Sequence, residues 1–214
     1  CDEGDIITPI SPADETVRRQ HGGRPPQNYC GDAAAERGFR DAIEGGDLLE
    51  IKTAGRLARR TRIFRNHMSA HDIAENIPAA FWNDAFKFTM DRHPYEKAVS
   101  LAHYGFERFV RNNGDASFEQ YLDLVVRRGK YRNFDLYSEN GLPIVDEVLK
   151  YEELPECFTS LKERIGIDVS PTLPKTKHLH RSDRRPAREV LSDLQKEMIH
   201  LICRQEFDRS GYAC

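Results

Sequence analysis

Phe86-Lys87-Phe88-Thr89-Met90-Asp91-Arg92-His93-Pro94-Tyr95-Glu96-Lys97-Ala98-Val99-Ser100 is the stretch on which the reading of this chain turns. Phe86 to Met90 is a short β-prone run that closes on a polar turn, which predicts a strand. Pro94 has its φ preset for a first helical turn and lacks the N–H that such a turn leaves unpaired, so a helix opens there. Val99, Ala102, Phe106, Phe109 and Val110 fall on one face at helical spacing, and Asn112-Asn113-Gly114 stops the run. The strand thus delivers Arg92 at its carboxyl end, with Ser100 in the first two turns of the helix. A planar guanidinium fork and a hydroxyl so placed suit one phosphate at the top of a sheet. An ordinary surface ion pair and a solvent-facing Ser account for the same two residues.

Working outward, Ser11-Pro12-Ala13-Asp14 starts a helix, Gly22 to Pro26 breaks the chain, and Ala33 to Glu44 reads as a helix closed by Gly45-Gly46. Ser69-Ala70-His71-Asp72 opens a short helix that ends near Pro78. Downstream, Ser117-Phe118-Glu119-Gln120 is a capping box, Asn140-Gly141 a turn, and Pro143 to Leu149 a second strand. A helix from Pro155 to Arg164 ends at Gly166, and Ser170 to Arg185 is a basic, Pro-containing loop. A last helix runs from Ala187 to Phe207, with Val190, Leu194, Met198, Leu201 and Ile202 towards the core. Strands alternating with helices predict an α/β layer protein with a largely parallel sheet. In such folds anions bind at the carboxyl ends of strands, against helix amino termini.

The 214 residues suffice for one ordinary domain, and 39% apolar with 31% charged residues is the balance of a soluble globular protein. No apolar run is long enough to span a bilayer. Cys1-Asp2-Glu3-Gly4-Asp5 has neither the basic nor the apolar region of a signal peptide. Five Cys without short spacings read as reduced thiols in a cytoplasmic protein, and no His, Cys or carboxylate cluster has metal-ligand spacing. A net charge of −3 gives no argument for nucleic acid as a partner, and none is expected. Local charge is uneven. Lys52, Arg56, Arg59, Arg60, Arg62 and Arg65 stand together with no acidic residue between them, and Lys175, Lys177, Arg181, Arg184, Arg185 and Arg188 with only Asp183. Two such clusters suit a compact anion such as phosphate or sulfate, and equally a solvated basic face.

The strand, the Arg-x-Pro of Arg92 to Pro94, and Ser100 six residues after the Pro resemble the 3′-phosphate-binding motif of the PAPS-dependent sulfotransferases, of bacterial and carbohydrate-acting type. PAPS is the activated nucleotide from which those enzymes move a sulfuryl group to an acceptor hydroxyl or amine. Phe64-Arg65-Asn66-His67-Met68-Ser69-Ala70 resembles the family's upstream stretch carrying a candidate catalytic His. Gly141 to Asp146, Lys150-Tyr151-Glu152-Glu153-Leu154, Leu173 to Lys177 and Glu206 to Tyr212 resemble its later elements, in the same order and spacing. The resemblance covers about Phe64 to Tyr212. It implies a three-layer, P-loop-NTPase-like fold with a mainly parallel central sheet flanked by helices, over a single domain 1–214 with an irregular, partly helical region at 1–62. It also implies contacts of Arg92 and Ser100 with the 3′-phosphate, His67 as the base that takes the acceptor's proton, and no metal. An imidazole has the unperturbed pKa for that role.

Lys175, Lys177, Arg181 and Arg184 would form a flap over the nucleotide or grip an anionic acceptor, or else make a solvated loop. The acceptor is expected to be a small molecule or a carbohydrate, and the basic loops favour a sugar or polysaccharide. One family signature departs. A strand followed by a Lys-Thr-x-Gly-Thr-Ser-like loop holds the 5′-phosphosulfate there, by phosphate-loop logic. Lys52-Thr53-Ala54-Gly55 after Leu48 to Ile51 resembles it, but Arg56 and Leu57 replace the Thr and Ser. The expectation is that the first strand and its loop precede Cys1. That keeps open a non-catalytic nucleotide- or glycan-binding domain of the same fold. No Gly-x-x-x-x-Gly-Lys-Ser/Thr string occurs, which disfavours a P-loop kinase.

Overall fold

The computed structural model describes residues 3–166, 181 and 183–213, so Cys1, Lys175, Lys177 and Cys214 lie outside the described residues. Within them the chain is mixed helix and sheet, 58% helix against 8% strand, so helices carry most of the packing. It divides into two compact units, Cys1–Trp82 and Asn83–Cys214. The sequence sets one domain over 1–214, with an irregular stretch at 1–62.

The first unit is helical. It contains α1 (Pro12–Gln20), α2 (Ala33–Gly45), α3 (Leu48–Ala58) and α4 (Ala70–Glu75), while α5 (Ala79–Asp84) runs across its end. Ser11, Asp32, Asp47 and Ser69 each cap a helix by accepting a backbone amide of the first turn. Gly46, at φ 81, ends α2 in the left-handed conformation that glycine adopts without a Cβ clash. Tyr29, Phe39, Ile43, Ile51 and Phe64 form the core, and Ile51 is fully buried. Burying a side chain of that size is worth about 1.5–3 kcal/mol. Leu48 to Gly55, compared above with a strand and a phosphate loop, is instead the body of α3. Asp47 accepts from the amides of Leu49 and Glu50, which commits the following residues to a helix, and Ile51 and Ala58 bury its apolar face.

The second unit contains β1 (Phe88–Asp91), α6 (Pro94–Asn113), α7 (Phe118–Arg128), β2 (Ser138–Glu139), β3 (Leu142–Pro143), β4 (Glu147–Lys150) and α8 (Glu156–Ile165). It closes with α9 (Ala187–Val190), α10 (Asp193–Ile202) and α11 (Arg204–Ser210). β1 pairs in parallel with β4, with Met90 opposite Leu149, and α6 and α7 lie in the crossover between them. The expected second strand at Pro143 to Leu149 is divided. Asn140 and Gly141, at φ 51 and 77, close a β2–β3 hairpin that takes Leu142 and Pro143. The Lys87 amide then donates to Asp146 Oδ2 at 2.7 Å, where the β1–β4 pairing begins.

Tyr95, Ala98, Val99 and Ala102 of α6 pack with Leu122, Val125 and Val126 of α7 and with Ile199, Cys203 and Phe207. The expected last helix, Ala187 to Phe207, is three helices. Leu191 is extended, and Ser192 and Gln195 restart the helix as a reciprocal capping box. The restart resets the helical phase. Leu194 and Leu201, expected in the core, are 61% and 69% exposed, while Ile199 and Cys203 are fully buried. Cys30, Cys157 and Cys203 are free thiols. No helix among the described residues is long and apolar enough to cross a membrane.

Candidate functional site

β1 ends in a buried knot of charge that fixes everything beyond it. Asp91 is 2% exposed, Glu206 of α11 is fully buried, and Lys97 of α6 bridges them. Its Nζ lies 2.7 Å from Asp91 Oδ1 and 3.1 Å from Glu206 Oε1. The Tyr137 hydroxyl donates to Asp91 Oδ2 at 2.9 Å, and the Asn133 amide donates to Glu206 Oε1 at 3.0 Å. The next amide, of Arg92, donates to Asp91 Oδ1 at 2.8 Å. Burial and the Asp91 carboxylate push the Tyr137 hydroxyl pKa up, so it stays a donor.

His93 caps α6. Its Nδ1 accepts from the Tyr95 amide at 3.2 Å, and its own amide donates to Glu152 Oε1 at 2.8 Å. With its ring occupied by Tyr95, Phe207 and Tyr212, it shapes the turn that releases Arg92. The Arg92 guanidinium lies 4.8 Å from the Tyr151 ring centre, a cation–π contact that orients its fork. Its Nη2 is 3.1 Å from Glu96 Oε2, one turn along. Its Nε is buried and has no hydrogen-bond partner among the described residues.

Arg181 converges on the same carboxylate, with Nη1 2.6 Å from Glu96 Oε2. Its other donors reach the carbonyls of Asp183 and Arg185. Glu96 Oε1 accepts from the Ala187 amide at 2.8 Å. Two guanidiniums therefore share one carboxylate and leave one positive charge in excess. Ser100 is half-buried one turn past Glu96 on the same face of α6, and His103 follows it. His103 is buried against Phe118, and burial, then the Arg181 charge, hold its pKa down.

Sequence and structure meet unevenly here. Arg92, Ser100 and Arg181 belong to the second unit, and Arg92 and Arg181 are brought together through Glu96. His67 belongs to the first unit, where it is exposed in a turn before α4 at φ 57, a left-handed conformation uncommon for a residue with a Cβ. Lys175 falls outside the described residues. Glu96 and Tyr151 were not anticipated as site residues. The signal for Glu96 was present in its spacing, four residues after Arg92 and four before Ser100.

Burial raises the Glu96 pKa, but the Ala187 amide and the two guanidiniums outweigh it, and the carboxyl titrates below its ordinary 4.5. A folded-state pKa below the unfolded one gives stability that is full above 4.5 and is lost as pH falls through the lowered value. Glu96→Gln should therefore cost about 1.5–3 kcal/mol near neutrality, the range for hydrogen bonds to a charged group. That deficit relative to the unsubstituted chain should close as pH falls below 4.5. Urea unfolding of both proteins across this range measures it, and a deficit that did not change with pH would contradict the assignment.

Among the described residues, His71, Asp72 and Glu75 form the one cluster close enough to hold a metal ion. His71 and Glu75 are exposed on a single helical turn, and Asp72 is engaged by Arg65 at 2.9 Å. Compared with protein-family models, curated proteins and solved structures, the chain matches none of them.

Proposed function

We propose that this chain is a PAPS-dependent sulfotransferase domain, of three-layer P-loop-NTPase-like architecture, acting on a carbohydrate or small-molecule acceptor. One observation supports it above the others. Arg92 stands at the carboxyl end of a parallel strand, oriented by Tyr151, with a buried Nε that has no partner among the described residues. A phosphate oxygen would satisfy that donor. Ser100 on the adjoining helix face and the Arg181 guanidinium beside Glu96 are chemically suited to the same 3′-phosphate. When bound, PAPS supplies the sulfuryl group, and PAP, the desulfated nucleotide, departs. In this reading His67 accepts the acceptor's proton at a ring nitrogen, and Arg92, Ser100 and Arg181 bind and orient the nucleotide. No metal is invoked.

A second reading is a non-catalytic nucleotide- or glycan-binding domain. One observation favours it: Lys52 to Gly55 is helical, so its amides are spent within α3 and form no phosphate loop. Calorimetric titration with PAP and a labelled-sulfate transfer assay on the full-length gene product separate the two. Transfer that falls at least about a hundredfold in His67→Ala, with PAP affinity unchanged, is expected of a base. Binding of PAP or a sulfated sugar without transfer would select the second reading, and failure to bind either would remove both.

A further inference from the structure

The first unit contains a cavity of about 400 Å³ that the nucleotide reading does not use. Lys52, Arg56, Arg59 and Arg62 line it, and no acidic residue does. Lys52, Arg56 and Arg59 recur at helical spacing along one face of α3 and its carboxyl cap. Arg62 is brought alongside by its bridge to Cys30. None of the four is engaged in an ion pair among the described residues. They are exposed at the rim, whereas Tyr29 and Phe39, 1% and 2% exposed, make the inner wall.

Tyr29 supplies the second observation. Its hydroxyl is buried and has no hydrogen-bond partner among the described residues. A buried unpaired hydroxyl costs free energy, so it needs a reason to be there. Its placement is enforced. The carboxylate of Glu36, itself 7% exposed, accepts the successive amides of Asn28, Tyr29 and Cys30 at 2.8, 3.0 and 3.2 Å. The amides of Ile63 and Phe64 both donate to the Tyr29 carbonyl. Next to the lining residues Pro9 to Pro12, the buried Glu15 carboxylate accepts from the Ile10 amide at 2.7 Å and holds that segment in place. Cation density between fixed walls, with a tyrosine of unpartnered hydroxyl in the lining, is the chemistry an anion site needs.

We infer that this cavity binds a sugar-sized organic oxyanion, a phosphate or sulfate monoester. Guanidinium forks match the tetrahedral oxyanion. The cavity exceeds what a bare anion fills and lies in the size range of small-molecule sites. Pro9, Ile10, Pro12 and Phe39 offer apolar contact to the ligand's body. The inference does not depend on the sulfotransferase reading, because every residue it uses belongs to the first unit.

Titration calorimetry of the full chain with glucose 6-phosphate, glucose 6-sulfate, glucose, inorganic phosphate and inorganic sulfate tests it. At least one ester should bind about tenfold or more tighter than its inorganic anion, with glucose silent. Which ester binds identifies the group. Arg56→Ala/Arg59→Ala should weaken that ester at least about tenfold, and Tyr29→Phe about threefold to tenfold, the loss of one hydrogen bond. Both variants should keep the thermal midpoint of the unsubstituted chain, since one removes exposed charges and the other an unpaired hydroxyl. Arg92→Ala should leave ester affinity unchanged, which separates this cavity from the proposed nucleotide site. The inference is overturned if neither ester binds up to about 10 mM, if the inorganic anions bind as tightly as the esters, or if affinity survives loss of both arginines.

Discussion

Lys97→Met is expected to cost the second unit about 3–5 kcal/mol, enough to leave it largely unfolded if its stability lies at the low end of the usual range. Lys97 is the only cation in contact with two carboxylates taken almost wholly out of water, Asp91 and Glu206, among the described residues. Methionine fills the volume of the lysine stem, so the loss measures charge rather than packing. Asp91 retains the Tyr137 hydroxyl and the Arg92 amide, and Glu206 the Asn133 amide. These neutral donors do not replace a buried countercharge. Glu206 Oε2 already lacks a hydrogen-bond partner among the described residues, so removing the ammonium leaves this carboxylate still less satisfied. Urea unfolding followed by near-ultraviolet circular dichroism gives the value. The triple variant Lys97→Met/Asp91→Asn/Glu206→Gln should recover part of the loss by removing the charges together. A loss under about 1 kcal/mol for Lys97→Met alone would mean that water reaches the cluster and that it does not anchor β1.

The segment from Phe86 to Ser100 is the most legible part of the fold in the sequence. Its strand, its proline and its apolar helical face are local signals, and β1, the start of α6 and the Gly114 stop fall where they point. What the segment could not disclose was its partner residues. Asp91 meets Glu206 through Lys97, and Arg92 stacks on Tyr151, across separations that periodicity does not encode. Glu96 was within reach of spacing alone, but a carboxylate beside a supposed phosphate site looks out of place until both arginines are seen to share it. Lys52 to Gly55 shares only some residue types with a phosphate loop, and the Asp47 cap that commits it to α3 is itself a local signal. The last helix is where the pattern failed. A 3.6-residue pattern was carried through Ser192, where a capping box resets the phase and turns Leu194 and Leu201 outward.

Arg92→Ala should lower affinity for PAP by at least about tenfold and towards a hundredfold, the range for losing a charge-assisted fork to phosphate. The same change should shift stability by less than about 1 kcal/mol, because the Arg92–Glu96 pair is 31% and 24% exposed and Arg181 remains on the carboxylate. That separation makes the variant informative, since the folded protein would persist while the ligand is lost. Glu96 sharpens the expectation. With Arg92 gone, the carboxylate faces one guanidinium rather than two, the local excess of positive charge disappears, and a phosphate would meet a neutral pair. Arg92→Lys should recover only part of the affinity, because an ammonium restores charge without the planar fork or the full stacking on Tyr151. Calorimetry at two ionic strengths completes the test. Affinity of the unsubstituted chain should fall with salt more steeply than that of Arg92→Ala, because one phosphate contact has been removed. Unchanged PAP affinity in Arg92→Ala would remove the 3′-phosphate assignment and, with it, the main support for a nucleotide at the end of β1.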